Sequence, residues 1–313
     1  KAGWTPPRTS WGEPDLRGTY TSDNSIGVPF ERPPQYGERA VLSDEEFANR
    51  DKANAEQLAK DNAEVPEVPF EKDEAGNNAP RHWLERGFKP SKATSIVIDP
   101  PDGRIPPLTP EGERRQTQLR AQRLRGDGDT YADHSNYDRC ITRGVVGSIL
   151  PVIYGNGSNI VQGPGYVVIR NEMIHEARLV PIDSRSPRLG KNIHMYMGDP
   201  RGHWDGSTLV VDSTNFTDRT GLGGNGNGAI HSESLHLIER YTKTAPDTMH
   251  YEFTVDDPVT YARPWTAALD LNVKPGYEIY EYACHEGNYG MRNMLSAARA
   301  EEESSKYKVE SSK

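Results

Sequence analysis

The sequence predicts a mainly β fold, an antiparallel up-and-down barrel of lipocalin or calycin type, and three observations lead there. From about Ile141 onward, short β-branched and aromatic runs alternate with Gly, Asn, Asp and Pro turns. Several of these runs alternate apolar and polar residues with a period of two, as half-buried strands do. About eight runs follow one another through short connections, the pattern of a meander. A two-sheet sandwich is the competing arrangement.

The strands are expected near 159–162, 166–174, 177–181, 208–214, 234–242, 248–255, 266–271 and 278–284. Residues 1–135 precede them and are rich in Pro, Gly and charge, as in Trp4-Thr-Pro-Pro and Arg32-Pro-Pro. They read as an extended arm, interrupted by two helices. One is expected near 43–62, where Ser43 and Glu46 have capping-box spacing, and one near 109–124, with Pro110 at its first position. The barrel core is expected over 136–290. The stretch 291–313 is rich in Ala, Glu and Lys and predicts a C-terminal helix with a polar tail.

Composition narrows the function classes. No apolar run approaches the roughly 20 residues that a membrane helix needs, and mean hydropathy is −0.81. A net charge of −9 without Lys/Arg clusters argues against a nucleic-acid surface. The chain begins with Lys1, which fits a removed secretory leader and a periplasmic or secreted protein. In an oxidising compartment Cys140 and Cys284 can close a long loop, contributing on the order of 4 kcal/mol in the chain-entropy model. Two buried free thiols are the alternative.

Four strings carry a resemblance: Trp11-Gly-Glu-Pro-Asp-Leu-Arg-Gly18, Pro100-Pro-Asp-Gly-Arg-Ile-Pro-Pro-Leu-Thr-Pro-Glu-Gly112, the run from Gly202-His-Trp-Asp-Gly to Asn215-Phe-Thr-Asp218, and Tyr280-Glu-Tyr-Ala-Cys-His-Glu-Gly-Asn-Tyr289. The chain resembles a large family of exported bacterial proteins of acidobacterial and proteobacterial type. The resemblance implies export and a single-domain organisation. It brings no catalytic residue with it, so the chemistry is read from side chains.

On the stretch 166–180, alternation sets Arg170, Glu172, Glu176 and Arg178 on one face. Val167, Ile169, Met173, Ala177 and Leu179 fall on the other, together with His175. Facing a lumen, Glu172 and Arg178 would be a paired acid and base; facing water, they would be weak surface ion pairs. Glu281, Tyr282, Cys284, His285 and Glu286 crowd the end of the last expected strand. The glycine-rich loop 221–228 has the freedom of a lid and delivers His231 and Glu233. The segment from Asp256 to Trp265 gathers Asp256, Tyr261 and Arg263, a set suited to gripping a polar or aromatic ligand.

These residues suit a cofactor-independent lyase, isomerase or hydrolase working by general acid–base catalysis on a small polar or aromatic molecule. His175, His285, Glu172 and Glu286 are the catalytic candidates. Arg178, His231, Glu233, Tyr261, Arg263 and Asp256 are the substrate-binding candidates. No cofactor is expected. A divalent metal would have to be assembled from distant histidines, since no His-Glu-x-x-His or Cys-x-x-Cys is present. There is no Gly-x-Ser-x-Gly elbow, and Cys284 is expected to point away from His285. A lipocalin-like binding protein without turnover is the alternative, and an envelope-associated structural protein the third reading. The arm also offers a route to a homodimer.

Overall fold

The computed structural model describes residues 4–61, 84–87, 89–125, 130–182, 189–223, 228–286 and 288–310. One large antiparallel sheet organises them. Its path runs β5 (Ala177–Pro181), β4 (Tyr166–Asn171), β3 (Gly157–Gly163), β1 (Gly18–Thr21), β12 (Trp265–Asn272), β11 (Thr248–Asp256), β10 (His236–Ala245), β7 (Thr208–Thr214) and β6 (Asp199–Asp205). A short β2 (Val97–Asp99) pairs with β12 off this path, and β8 (Gly221–Leu222) pairs separately with β9 (Ala229–Ile230).

The mainly β class is as expected, but the closed lipocalin-like barrel is not. Among the described residues, the end strands β5 and β6 lie close together but are joined by no ladder, just a parallel bridge from Ile182 to Gly202. Strand count supplies the reason. Nine antiparallel neighbours in a row leave the first and last strands parallel to each other, so no antiparallel ladder can close the seam. Neither Pro181 nor Pro200, on those two strands, has an N–H to donate.

The stretch 1–135, expected as an arm, contributes to the sheet. Gly18 to Thr21 pairs with Ile160 to Gly157, and Thr21 also faces Asn272, so β1 lies between β3 and β12. Leu16 and Tyr20 beside it are wholly buried, as is Val97 on β2. A four-residue strand is too short to show periodicity among prolines and glycines, so its sequence signal is faint.

Three helices accompany the sheet: α1 (Asp44–Asp61), α2 (Pro110–Arg125) and α3 (Tyr289–Glu310). The capping box at α1 forms as expected. The Glu46 backbone N–H donates to Ser43 Oγ at 3.2 Å, and the Ser43 N–H donates to Glu46 Oε2 at 2.7 Å. At α2, Thr109 Oγ1 accepts the Gly112 N–H at 3.1 Å.

Alternation holds best on β11. Met249, Tyr251, Phe253 and Val255 are buried, while His250, Glu252, Thr254 and Asp256 lie on the opposite face. There His250 Nδ1 meets Asp270 at 2.8 Å, which raises the histidine pKa. Tyr241, Tyr251, Phe253, Trp265 and Tyr261 form a chain of ring contacts with centroids 4.9–5.9 Å apart.

Two expected strands end differently. The 166–174 run stops at Asn171, and Met173–His175 forms a short 3-10 turn with Ile174 at φ 57°. This turn resets the phase. Arg178 pairs opposite Ile169 and shares its inward face, whereas Ala177 and Leu179 are exposed. The 278–284 run forms no strand: after Asn272 the described chain has none, and Pro275-Gly276 begins an irregular course into α3.

The inward turn of Arg178 carries its charge into the core. Its Nη1 donates to Glu239 Oε2 at 2.6 Å and its Nη2 to Glu239 Oε1 at 2.8 Å. Tyr241 and Tyr251 each donate to the same Oε1 at 2.9 Å. Arg178 is 3% exposed and Glu239 0%. Burial weakens the arginine charge, but the Glu239 carboxylate overrides this and raises its pKa; burial and Glu239 push both phenols well above their ordinary value. Removing one partner strands the other charge in the core. Glu239→Gln is therefore expected to cost roughly 3–5 kcal/mol in urea unfolding. A loss below about 1 kcal/mol would mean that water reaches Arg178.

Candidate functional site

The residues singled out in the sequence disperse over the fold. Arg178 is consumed by Glu239. Glu172 accepts from the Tyr277 hydroxyl and from the Gly157 N–H, near Glu85, whose pKa burial and the neighbouring Asp23 raise. His231 is buried, with Nδ1 3.1 Å from the Ser232 carbonyl oxygen, and burial lowers its pKa. Tyr261 is buried too, donating to the Ile230 carbonyl at 2.7 Å, and burial raises its pKa. Asp256 is half-buried on the polar face of β11, and Arg263 is exposed in the following turn. His285 is exposed on the way to α3. The side chain of His175 and residues 224–227 of the glycine-rich loop lie outside what is described.

Asp257, adjacent to one of these candidates, has a defined structural role. Its carboxylate accepts from the Ser232 N–H at 2.6 Å, the Ser232 hydroxyl at 2.8 Å and the Thr260 N–H at 3.2 Å, tying β9 to the turn after β11.

Among the described residues, two clefts offer space for a ligand. One, of about 620 Å³, is lined by His194, Tyr196, Asp218, Arg219 and Glu233. Glu233 pairs there with His194 at 3.2 Å, and Arg115 holds Asp218 at 3.1 Å. The other, of about 450 Å³, lies between the segment before β3 and the approach to α3. Tyr137, Cys140, Glu281, Tyr282, Glu286 and Met294 line it, so of the catalytic candidates Glu286 reaches this wall.

The second cleft is built on a covalent clip. Cys140 and Cys284 form a disulfide across 144 positions, with Cα atoms 5.7 Å apart. Asn288 Nδ2 donates to the Asp138 carbonyl at 3.2 Å and lies 3.3 Å from Cys140 Sγ, so both sides of the bridge are tied. The clip brings the hydroxyls of Tyr137 and Tyr282 to 3.1 Å of each other. Both phenols are raised above their ordinary value, first by burial.

Next to Tyr137 sits a buried arginine outside the sequence-predicted set. Arg143 is 1% exposed, and neither its Nε nor its Nη1 has a hydrogen-bond partner. Its guanidinium carbon lies 6.0 Å from the Tyr137 ring centroid. Burial lowers its pKa, opposed by Tyr137, Glu176, Tyr282 and Tyr154 around it. Glu176 receives the Arg143 backbone N–H at 3.3 Å and the Ser148 hydroxyl at 2.8 Å. Burial nevertheless raises the Glu176 pKa.

The backbone around this cluster adopts left-handed conformations that L-residues avoid. Cys140 has φ 54°, Ile174 has φ 57° and Gly144 has φ 77°. Gly144 cannot be replaced cheaply, since a Cβ there would lie 2.8 Å from the Gly221 carbonyl oxygen. One sequence signal was available: Arg143 is a lone charge at the head of the apolar run Val145 to Leu150.

Comparison with protein-family models, with curated proteins and with solved structures finds no match for this chain. Among the described residues, no group of three His, Cys, Asp or Glu side chains stands close enough to hold a metal ion.

The raised Glu176 pKa carries a sign. A carboxyl whose folded value lies above its ordinary 4.5 contributes stability that is complete below pH 4.5 and lost as pH rises through the folded value. The stability of the wild type relative to Glu176→Gln is therefore expected to fall as pH rises from 4.5 towards neutrality. Urea unfolding of both proteins at several pH values measures this; a difference independent of pH would show that Glu176 titrates normally.

Proposed function

We propose that the chain is an exported small-molecule-binding protein whose ligand occupies the cleft beside the Cys140–Cys284 bridge. The observation that carries this reading is Arg143, a buried guanidinium with two unpartnered nitrogens next to Tyr137, a residue of the cleft wall. Native structures seldom leave buried donors unmatched, and a side chain that does so beside a cleft is a candidate ligand contact. Export is supported by the four resembling strings and by the disulfide, which persists in oxidising compartments. The volume, about 450 Å³, suits a small organic molecule.

Turnover is a second reading, favoured by Glu176. A carboxyl held towards its neutral form and packed against the segment that carries Arg143 is suited to proton transfer, as the general acid of a cofactor-independent lyase, isomerase or hydrolase. In that case Glu176→Gln would retain ligand and lose turnover.

Six methionines make the binding reading accessible to methyl-labelled NMR, because Met294 lines this cleft. Small neutral aromatic alcohols are expected to shift the Met294 methyl signal, and Tyr282→Ala to weaken that response at least tenfold. Shifts confined to Met195 and Met197 would move the binding site away from this cleft.

A further inference from the structure

Resting on the assignment of this cleft as a ligand site, we infer that its ligand is a small monocarboxylic acid with an aromatic or otherwise flat apolar body, and that Arg143 is the charge partner of its carboxylate.

The first argument is charge. A guanidinium taken out of water without matched hydrogen bonds is costly, and an anion brought to it offsets that cost. Tyr137, Tyr154, Tyr282 and the Glu176 carboxyl surround Arg143, yet its Nε and Nη1 donate to none of them. Tyr137, Tyr154 and Tyr282 are phenols, which carry no counter-charge when neutral. Glu176 is the carboxyl in this set. Its Oε2 already accepts from Ser148 and from the Arg143 backbone, and neither Arg143 Nε nor Nη1 bonds to it. A carboxylate entering the cleft would meet the Tyr137 and Tyr282 hydroxyls and the guanidinium next to Tyr137. It accepts from all of these groups, whereas a neutral alcohol supplies one oxygen and no charge.

The second argument is shape and valence. The planar guanidinium fork matches a planar carboxylate. A phosphate dianion would draw on several cations or a nest of backbone N–H groups, and the described wall of this cleft carries Asp138, Glu281 and Glu286 instead. These acids at the mouth oppose multiply charged anions, while one carboxylate pointing inward keeps its charge near Arg143. The rings of Tyr137 and Tyr282, with Met294, present an apolar surface to the rest of the molecule.

The test compares two probes of one size, benzoate and benzyl alcohol, on the full chain with its disulfide intact at neutral pH. Dissociation constants come from Met294 methyl shifts, and the Arg143 Nε–H signal is followed in parallel. Benzoate is expected to bind at least tenfold more tightly than benzyl alcohol and to move the Nε–H signal. Arg143→Gln should erase that preference, weakening benzoate at least tenfold more than benzyl alcohol. If that variant does not fold, the wild-type affinity ratio and the Nε–H shift decide the matter. Equal affinities, or a benzoate preference that survives in folded Arg143→Gln, would overturn the carboxylate assignment and leave the cleft standing. A Met294 signal unmoved by either probe would remove the cleft itself as the binding site.

Discussion

A guanidinium and a carboxylate that meet inside the sheet set the limits of everything else in this molecule. Arg178 stands on β5, at one end of the strand path, and Glu239 on β10, well along towards the other. They can pair only if the sheet curls until its ends approach each other. Once the pair is buried, the interior it occupies is no longer a lumen. Two carboxylate oxygens, two guanidinium nitrogens and the hydroxyls of Tyr241 and Tyr251 satisfy one another there. An ionic interior of this kind fills the space that a lipocalin leaves for its ligand.

The cleft proposed for a ligand lies instead at the margin of the sheet, where the chain is irregular and covalently clipped. Between Asn272 and α3 the described backbone forms no ladder, and its placement rests on side chains: Tyr277 on Glu85 and Glu172, Tyr282 on Tyr137, Asn288 on Asp138, and the disulfide. Such a segment need not satisfy a strand partner, so its side chains are free to form a wall. The left-handed residues Cys140 and Ile174 sit on the segments that carry Arg143 and Glu176. Their conformational cost, of order 1–3 kcal/mol each, is borne by the packed sheet beneath.

Two buried arginines illustrate how environment decides role. Arg178 has a bidentate carboxylate and no nearby cleft, and its contribution is structural. Arg143 has phenols, a carboxyl shifted towards neutrality and a cleft close by. The side chain is the same, but one guanidinium has a bidentate carboxylate within the protein and the other leaves Nε and Nη1 without hydrogen-bond partners.

Local patterns were legible in the sequence wherever they spanned enough residues. The alternation on β11, the exact limits of β5 and β7, the capping box at Ser43 and Glu46, and the C-terminal helix all follow from side-chain spacing, since these elements are long or have a local chemical marker. The pairing of Cys140 with Cys284 stood open, because sequence spacing says nothing about approach in space. Four residues of β1 and three of β2 carry too little periodicity to stand out from a proline-rich stretch. The phase of Arg178 turned on Ile174, a β-branched residue in a left-handed conformation that no propensity anticipates. The sequence by itself determined that strands run near β3, β4, β5, β7, β10, β11 and β12, and which face of β11 is apolar. Only the tertiary structure decided which charges meet: Arg178 finds its carboxylate 61 positions away and Arg143 leaves two nitrogens unmatched, because both outcomes depend on how far the sheet curls.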